Sequence, residues 1–231
     1  MRFFINSIKS LSKAAKTIWF GSLIIICLSF FLFRNTDYLT LVASLIGATS
    51  LIFAAKGNVI GPILSVVFSV IYAVISFQMR YYGEMITYLG MTAPVSLAAV
   101  FAWLKNPFNG NKADVKINHI RPREYLFLAV LATVVTIIFY FMLKYFNTAS
   151  LVMSTVSVLT SFLACYLTVR RSEFYAVAYA ANDIVLIILW IIAAQVNFNY
   201  LGMVICFLIF LVNDVYGFIQ WSKSKKRQRA K

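Results

Sequence analysis

Charge is what this 231-residue sequence has least of: 12% of its residues are Asp, Glu, Lys or Arg, against about a quarter in an ordinary soluble domain. That excludes a water-soluble globule, and 62% hydrophobic residues exclude disorder as firmly. A single histidine, His119, lies in a polar stretch without a partner motif. There is no HExxH, no nucleophile elbow and no paired His and Asp set, so an intramembrane enzyme would lack its working parts. The three cysteines (Cys27, Cys165 and Cys206) fall inside apolar runs without metal-ligand spacing and read as small apolar fillers. No ATP-binding motif is present, so work driven by hydrolysis would need another subunit. No cofactor and no metal are expected.

What is abundant is long apolar sequence, with 16% aromatic residues and a mean hydropathy of +0.85. Eight runs, near 17–33, 38–55, 58–79, 84–104, 124–143, 147–169, 173–195 and 198–221, approach or reach the about 20 residues a helix needs to cross the hydrocarbon core. They are continuous rather than alternating, which excludes a transmembrane barrel and makes each run a helix. The expected fold is therefore an all-α integral membrane protein of eight transmembrane helices. The connections are very short except for 105–123, whose Asn, Gly, Pro and Lys content reads as a linker. No soluble domain is expected.

The net charge of +14 would suggest nucleic acid if it formed a patch on a folded domain. Instead the cations sit in short tracts between apolar runs, so no nucleic-acid partner is expected and the tracts report topology. With the N-terminus inside, 18 of the 21 basic residues are inner, from Arg2, Lys9, Lys13 and Lys16 to the closing 223–231 tract that ends at Lys231. Arg34, Arg80 and Lys144 alone are outer. Both termini are thus expected in the cytoplasm, and the location is a cell (inner) membrane. Residues 1–16 carry Phe3, Phe4, Ile8 and Leu11 beside their cations, as an interfacial amphipathic segment does. No small-residue cleavage site follows Phe33, so the first span is read as uncleaved.

The two halves echo each other. An offset of 118 residues superposes Trp103 on Trp221 and Lys105 on Lys223, and a basic residue introduces the middle helix of each half: Lys56, then Arg170 and Arg171. Two three-helix units result, joined by a fifth span that makes them parallel, which is a transporter architecture. The expected organisation is 1–37, an amphipathic segment and extra helix; 38–104, the first repeat; 105–146, linker and connecting helix; 147–222, the second repeat; and 223–231, a basic cytoplasmic tail.

Two acidic residues, Asp183 and Asp214, lie well inside apolar spans, where a carboxylate costs about 2.5–3.5 kcal/mol and usually faces a cavity or a partner. Tyr179, Asn182, Asp183, Leu186 and Trp190 share one helical face, which suits a ring-bearing polar solute. On the last span Phe210, Asp214, Gly217 and Trp221 line one face, and Asn213, Tyr216 and Gln220 the adjacent one. The competing reading is that these groups bond between helices. Ser65, Ser69 and Tyr72, then Thr87, Thr92 and Ser96, give the first half milder chemistry, and hydroxyls more often pack helices than bind solutes. Ser150, Ser154, Ser157 and Ser161 read as a packing stripe. Pro62 and Pro94 could kink their helices and free carbonyls toward a cavity. Gly57 and Gly61 form a lone GxxxG.

Several of these residues carry a family resemblance. Ala55-Lys56-Gly57-Asn58, Ile71-Tyr72-Ala73 and Tyr82-Gly83-Glu84-Met85 resemble the first repeat of the PnuC vitamin transporters. Asn213-Asp214-Val215-Tyr216-Gly217-Phe218-Ile219-Gln220-Trp221 resembles that family's closing motif, and Asn182, Asp183 and Trp190 match its penultimate helix. The resemblance covers about residues 38–225. It implies a SWEET-like core of three plus one plus three helices, a homotrimer, and uptake of nicotinamide riboside by facilitated diffusion, with a cytoplasmic kinase trapping the solute. Relatives carry thiamine, riboflavin or nucleosides. The first repeat departs from the pattern: Ser96, Ala98 and Ala99 replace an amide and a Tyr-Gly pair, and Ser65 replaces a frequent Asn.

On this reading the substrate-binding residues are Asn182, Asp183, Trp190, Asn213, Asp214, Tyr216, Tyr179, Ser65 and Ser96. Trp190 would stack on the ring, Asn182 and Asn213 would bond ribose or amide, and Asp183 or Asp214 would offset a pyridinium charge. Proton coupling through either acid is compatible with the sequence. The alternatives are a carrier of the same fold for another vitamin or nucleoside, and a non-transporting membrane partner subunit.

Overall fold

A computed structural model describes residues 7–32, 38–78, 81–148, 150–196 and 198–230. The expectations attached to Arg2, Phe3, Phe4, Arg34, Arg80 and Lys231 lie outside the described residues.

Among the described residues eight helices are long and apolar enough to cross a bilayer. They are α1 (Lys13–Leu32), α2 (Tyr38–Ala55), α3 (Ile60–Gln78), a composite fourth span, α6 (Pro122–Tyr145), α7 (Leu151–Val169), α8 (Tyr175–Ala194) and α9 (Leu201–Arg229). The fourth span is built from α4 (Tyr82–Thr87), a π-helical turn (Tyr88–Thr92) and α5 (Ala93–Leu104). Pro94 explains the break. It lacks the N–H that would reach back one turn and its ring crowds the preceding carbonyl, and the Ala93 N–H bonds to the Tyr88 carbonyl five residues back instead. The kink expected at Pro94 is a π turn, and Pro62 simply sits in the first turn of α3, where a missing N–H costs little.

The helices share two faces. On one, the loop face, lie the α2–α3 and α7–α8 turns, residues 105–121 and the end of α9, tied by Val115 N–H to Gly57 O at 2.9 Å and Asn118 N–H to Arg171 O at 3.0 Å. All three ion pairs among the described residues are on this face: Arg170–Glu124, Lys225–Glu173 and Arg227–Asp114. Arg170 clasps both carboxylate oxygens of Glu124, and Tyr166 OH adds a third donor at 3.2 Å. Glu124 holds the Arg170 guanidinium above its ordinary pKa, whereas burial pulls the neighbouring Arg171 below it.

The expected linker is more ordered than its composition suggested. Pro107–Phe108 and Asn111–Val115 pair as a small antiparallel hairpin, β1–β2. Strands this short do not stand alone. This hairpin is held from outside by Gln228, which donates to the Val115 carbonyl and accepts from the Ile117 N–H. Gln228 can do this because the expected basic tail is the last part of α9, helical through Arg229.

α2, α3 and α4–α5 pack as one trio, and α7, α8 and α9 as another. The trios meet where α2 lies on α9 and α5 on α7. α6 rests on α7, burying only Leu128, Ala132 and Leu143. α1 lies across α2 and α9. The segment before it packs on the bundle: Ser7 and Leu11 are buried, with Asn58 donating to Ser7 Oγ and Leu11 joining the Trp19 and Phe53 cluster.

Candidate functional site

A cavity of about 60 Å³ lies between the two trios, lined only by residues of membrane-spanning segments. Its acidic side comes from α8 and α9. Asp183 and Asp214 are each 3% exposed, and both line the cavity. Asp183 Oδ2 is buried without a partner, and an orphaned acceptor on a cavity wall is an open valence for a donor or a cation.

Asn182 is fixed from behind. Its Oδ1 accepts hydroxyls from Thr160 at 2.8 Å, Ser161 at 2.9 Å and Ser157 at 3.4 Å. With Oδ1 engaged by these hydroxyls, the Nδ2 end of the amide is left toward the cavity. The serines of α7, read as a packing stripe, are thus partly a seat for this amide. Tyr179, on the same face of α8, contacts Cys165 Sγ through its hydroxyl at 3.6 Å, and Tyr175, one turn earlier, completes the aromatic wall.

The first trio supplies hydroxyls already in use. Ser65 Oγ lies 2.7 Å from Ser50 Oγ, Ser50 Oγ donates to the Gly61 carbonyl at 2.8 Å, and Ser69 Oγ donates to the Ser65 carbonyl at 2.7 Å. Thr92 and Ser96 reach the same cavity from the far side of the π turn. Gly61 permits the arrangement: a Cβ there would lie 2.5 Å from the Ala54 nitrogen. Gly57 serves differently, with φ +75° in the turn that ends α2. The GxxxG pair therefore shapes one helical hairpin.

Of the nine residues expected to bind solute, six line this cavity: Ser65, Ser96, Tyr179, Asn182, Asp183 and Asp214. Three do not. Trp190 shares the azimuth of Asp183 but sits seven residues along, about 10 Å nearer the opposite face. It is wholly buried there, donating Nε1–H to Tyr72 OH at 3.1 Å and packing on Tyr81 and Tyr200 at 5.2 and 5.5 Å. Asn213, one position before Asp214, points away toward α1, where Nδ2 bonds Ser22 Oγ at 3.1 Å and the Ile209 carbonyl at 2.8 Å. Tyr216 also faces α1, its hydroxyl 3.4 Å from Ser12 Oγ. In this conformation these three brace the bundle.

Sequence reasoning missed Phe68, Tyr88, Phe207 and Tyr175 as lining residues. Tyr175 could have been found as the i−4 neighbour of Tyr179. Phe68 and Tyr88 carried no signal in the sequence because aromatic residues fill every span.

The cavity is capped at both ends. Toward the opposite face stand Tyr72 and Tyr88, with ring centroids 4.4 Å apart, and then Trp190. Toward the loop face the Trp103 and Trp221 rings lie 5.5 Å apart, tilted by 48°, with Tyr175 at 4.8 Å from Trp221. These two indoles are used reciprocally. Trp103 donates to the Thr168 carbonyl at the end of α7, and Trp221 to the Ala54 carbonyl at the end of α2.

A family described as nicotinamide mononucleotide transporter matches residues 37–223. A nicotinamide riboside transporter PnuC of Neisseria mucosa is 27% identical over 201 residues, covering 85% of this chain and 76% of that protein. One of Haemophilus influenzae, also named nicotinamide riboside transporter PnuC, is 21% identical over 216 residues, covering 93% and 92%. The crystal structure of a vitamin B3 transporter PnuC superposes with a TM-score of 0.82 at 25% identity, over 95% of this chain and 94% of that one.

Proposed function

We infer that this chain, which belongs to the PnuC family of nicotinamide riboside transporters, itself carries nicotinamide riboside across the membrane. The observation that supports this most directly is the orphaned Asp183 Oδ2 beside Asp214, in a cavity walled by Tyr88, Tyr175 and Tyr179. An acceptor between aromatic faces suits a cationic pyridinium ring, and the Asn182 Nδ2 donor and the serines suit ribose or carboxamide oxygens.

The cavity volume of about 60 Å³ is well below the about 300–1,000 Å³ of ordinary ligand sites. The conformation is therefore one too tight for a whole solute, with both aromatic caps in place. Loading needs one cap to part. The Trp190–Tyr72 cap is held between side chains, whereas both indoles of the other cap are bonded to backbone, so solute enters past Tyr72 and Tyr81 and leaves past Trp103 and Trp221.

On this reading transport is facilitated diffusion in a cell membrane with the loop face in the cytoplasm, and phosphorylation by a cytoplasmic kinase traps the solute. The two trios are parallel repeats of a SWEET-like core, with α1 outside it. The reciprocal bonds of Trp103 and Trp221 support that relationship. α6, whose apolar surface is mostly exposed within one chain, leaves room for a homotrimer.

The test is calorimetric binding of nicotinamide riboside, thiamine, riboflavin and thymidine to purified protein, followed by flux into proteoliposomes. Selective binding of nicotinamide riboside, weaker for the net-neutral nicotinic acid riboside and lost in Asp183→Asn, is the expected result. Preference for another solute keeps the fold and moves the substrate. Binding of none of the four favours a partner-subunit role.

A further inference from the structure

The transport cavity is the acidic site of this protein, and a second cavity, outside the membrane, has the opposite character. It measures about 110 Å³ and lies where the segment after β2 meets the last two turns of α9. Lys116, His119, Lys225 and Arg229 line it with Asn118 and Gln228, and no carboxylate does. Lys225 is paired elsewhere with Glu173, but Lys116 and Arg229 bring charge of one sign to the hollow, which favours an anion joining them.

The hollow is built rather than incidental. Gln228 bonds the backbone on both sides of Lys116, accepting from the Ile117 N–H at 2.9 Å and donating to the Val115 carbonyl at 3.0 Å. Arg227, next along the helix, pairs with Asp114 and lies 5.8 Å over the Phe108 ring. Lys225 is held by Glu173. These contacts spend Asp114 on docking the hairpin and Glu173 on tying α9 to the α7–α8 turn. Among the described residues none is left for Lys116 or Arg229. Arg229 Nη2 instead donates to His119 Nε2 at 3.3 Å at the rim, the ring nitrogen accepting because a guanidinium only donates.

We propose that this groove binds a phosphate monoester. The hollow holds about three to four waters of liquid volume, the scale of one tetrahedral oxyanion, and its open rim admits the organic group beyond the ester oxygen. Lys and Arg donors with the Asn118 side chain match three terminal phosphate oxygens. The source is soluble rather than a lipid headgroup. Arg229 stands eight residues beyond Trp221, about 12 Å along the helix, which clears the about 5–7 Å headgroup layer on that side of the hydrocarbon core. Because Gln228 and Arg229 continue the helix that carries Asp214 and Trp221, a bound anion ties the hairpin to the cavity wall and restrains the Trp103–Trp221 cap. The proposal holds whichever solute is carried.

The test titrates ribose 5-phosphate, inorganic phosphate and plain ribose calorimetrically into the full chain in nanodiscs of phosphatidylcholine. Ribose 5-phosphate is expected to bind and ribose not to bind. The affinity should fall at least about tenfold in Lys116→Gln/Arg229→Gln, and by an intermediate factor in Arg229→Gln alone, for the loss of charge-assisted contacts. Unchanged thermal unfolding of the double variant shows that it is folded, independently of any transport assay. Equal binding by parent and variant, or no binding by the parent, overturns the proposal. So does a difference that emerges only when the nanodiscs contain phosphatidylglycerol, which would assign the groove to lipid headgroups.

Discussion

The two halves of the bundle have the same frame and different contents. The turn after α2 and the turn after α7 repeat each other bond for bond. Gly57 N–H reaches the Ala54 carbonyl and Asn58 N–H the Phe53 carbonyl, as Arg171 reaches Thr168 and Ser172 reaches Leu167. Asn58 Oδ1 then caps the Ile60 N–H, as Ser172 Oγ caps the Phe174 N–H. Even the left-handed residue recurs, Gly57 at φ +75° and Arg171 at φ +54°. Inside the cavity the likeness stops. The first half contributes Ser50, Ser65 and Ser69, bonded to one another and to backbone. The second contributes Asp183, Asp214 and the Asn182 amide. Backbone bonds that close helix ends are kept in both halves, while the polarity that can recognise a solute is concentrated in one.

If the frame is common, equivalent frame changes should cost the same in both halves. Trp103→Ala and Trp221→Ala each remove a buried indole and one of the two hydrogen bonds its carbonyl partner accepts, and each should destabilise the protein by about 3–5 kcal/mol, read as matched losses in detergent thermal unfolding. A large inequality would break the comparison. If recognition is one-sided, Asp183→Asn should weaken nicotinamide riboside binding about a hundredfold, the loss of one charge-assisted contact in a dry site, with folding retained. Ser69→Ala should change it less than about threefold, because Ser69 Oγ spends its proton on its own helix. Equal effects of the two in calorimetry would refute the asymmetry. Gly61→Ala forces a methyl into the Ala54 backbone and should cost about 1–3 kcal/mol. Gly217→Ala, whose methyl would stand 3.3 Å from the Tyr175 hydroxyl, should cost less than Gly61→Ala in the same unfolding assay.

Much of the frame was legible because lipid leaves the backbone no alternative to a helix over 20 apolar residues. The acids were legible for a related reason: Asp183 and Asp214 interrupt apolar spans and need a partner or a cavity. Depth was not legible. Helical spacing places Trp190 on the face of Asp183 but carries no information that two turns of rise remove it from the cavity. Nor could sequence show that α1 would come to lie on Asn213 and Tyr216, since that contact joins positions 191 and 204 residues apart. The β1–β2 hairpin was hidden too, because the support for Val115 and Ile117 comes from Gln228, more than a hundred residues on.

α9 runs unbroken for 29 residues, about 43 Å at 1.5 Å per residue, and so it is a lever as well as a wall. Its fulcrum is the stretch around Asp214, and the arm from there to Arg229 is about 22 Å, so a rocking motion of about 10° would sweep the far end through about 4 Å. Displacements too small to resolve at the ring of a solute would be magnified into ones that part Gln228 from the hairpin. A spectroscopic label near residue 229 would therefore report each turnover with a gain that no probe inside the bundle could match.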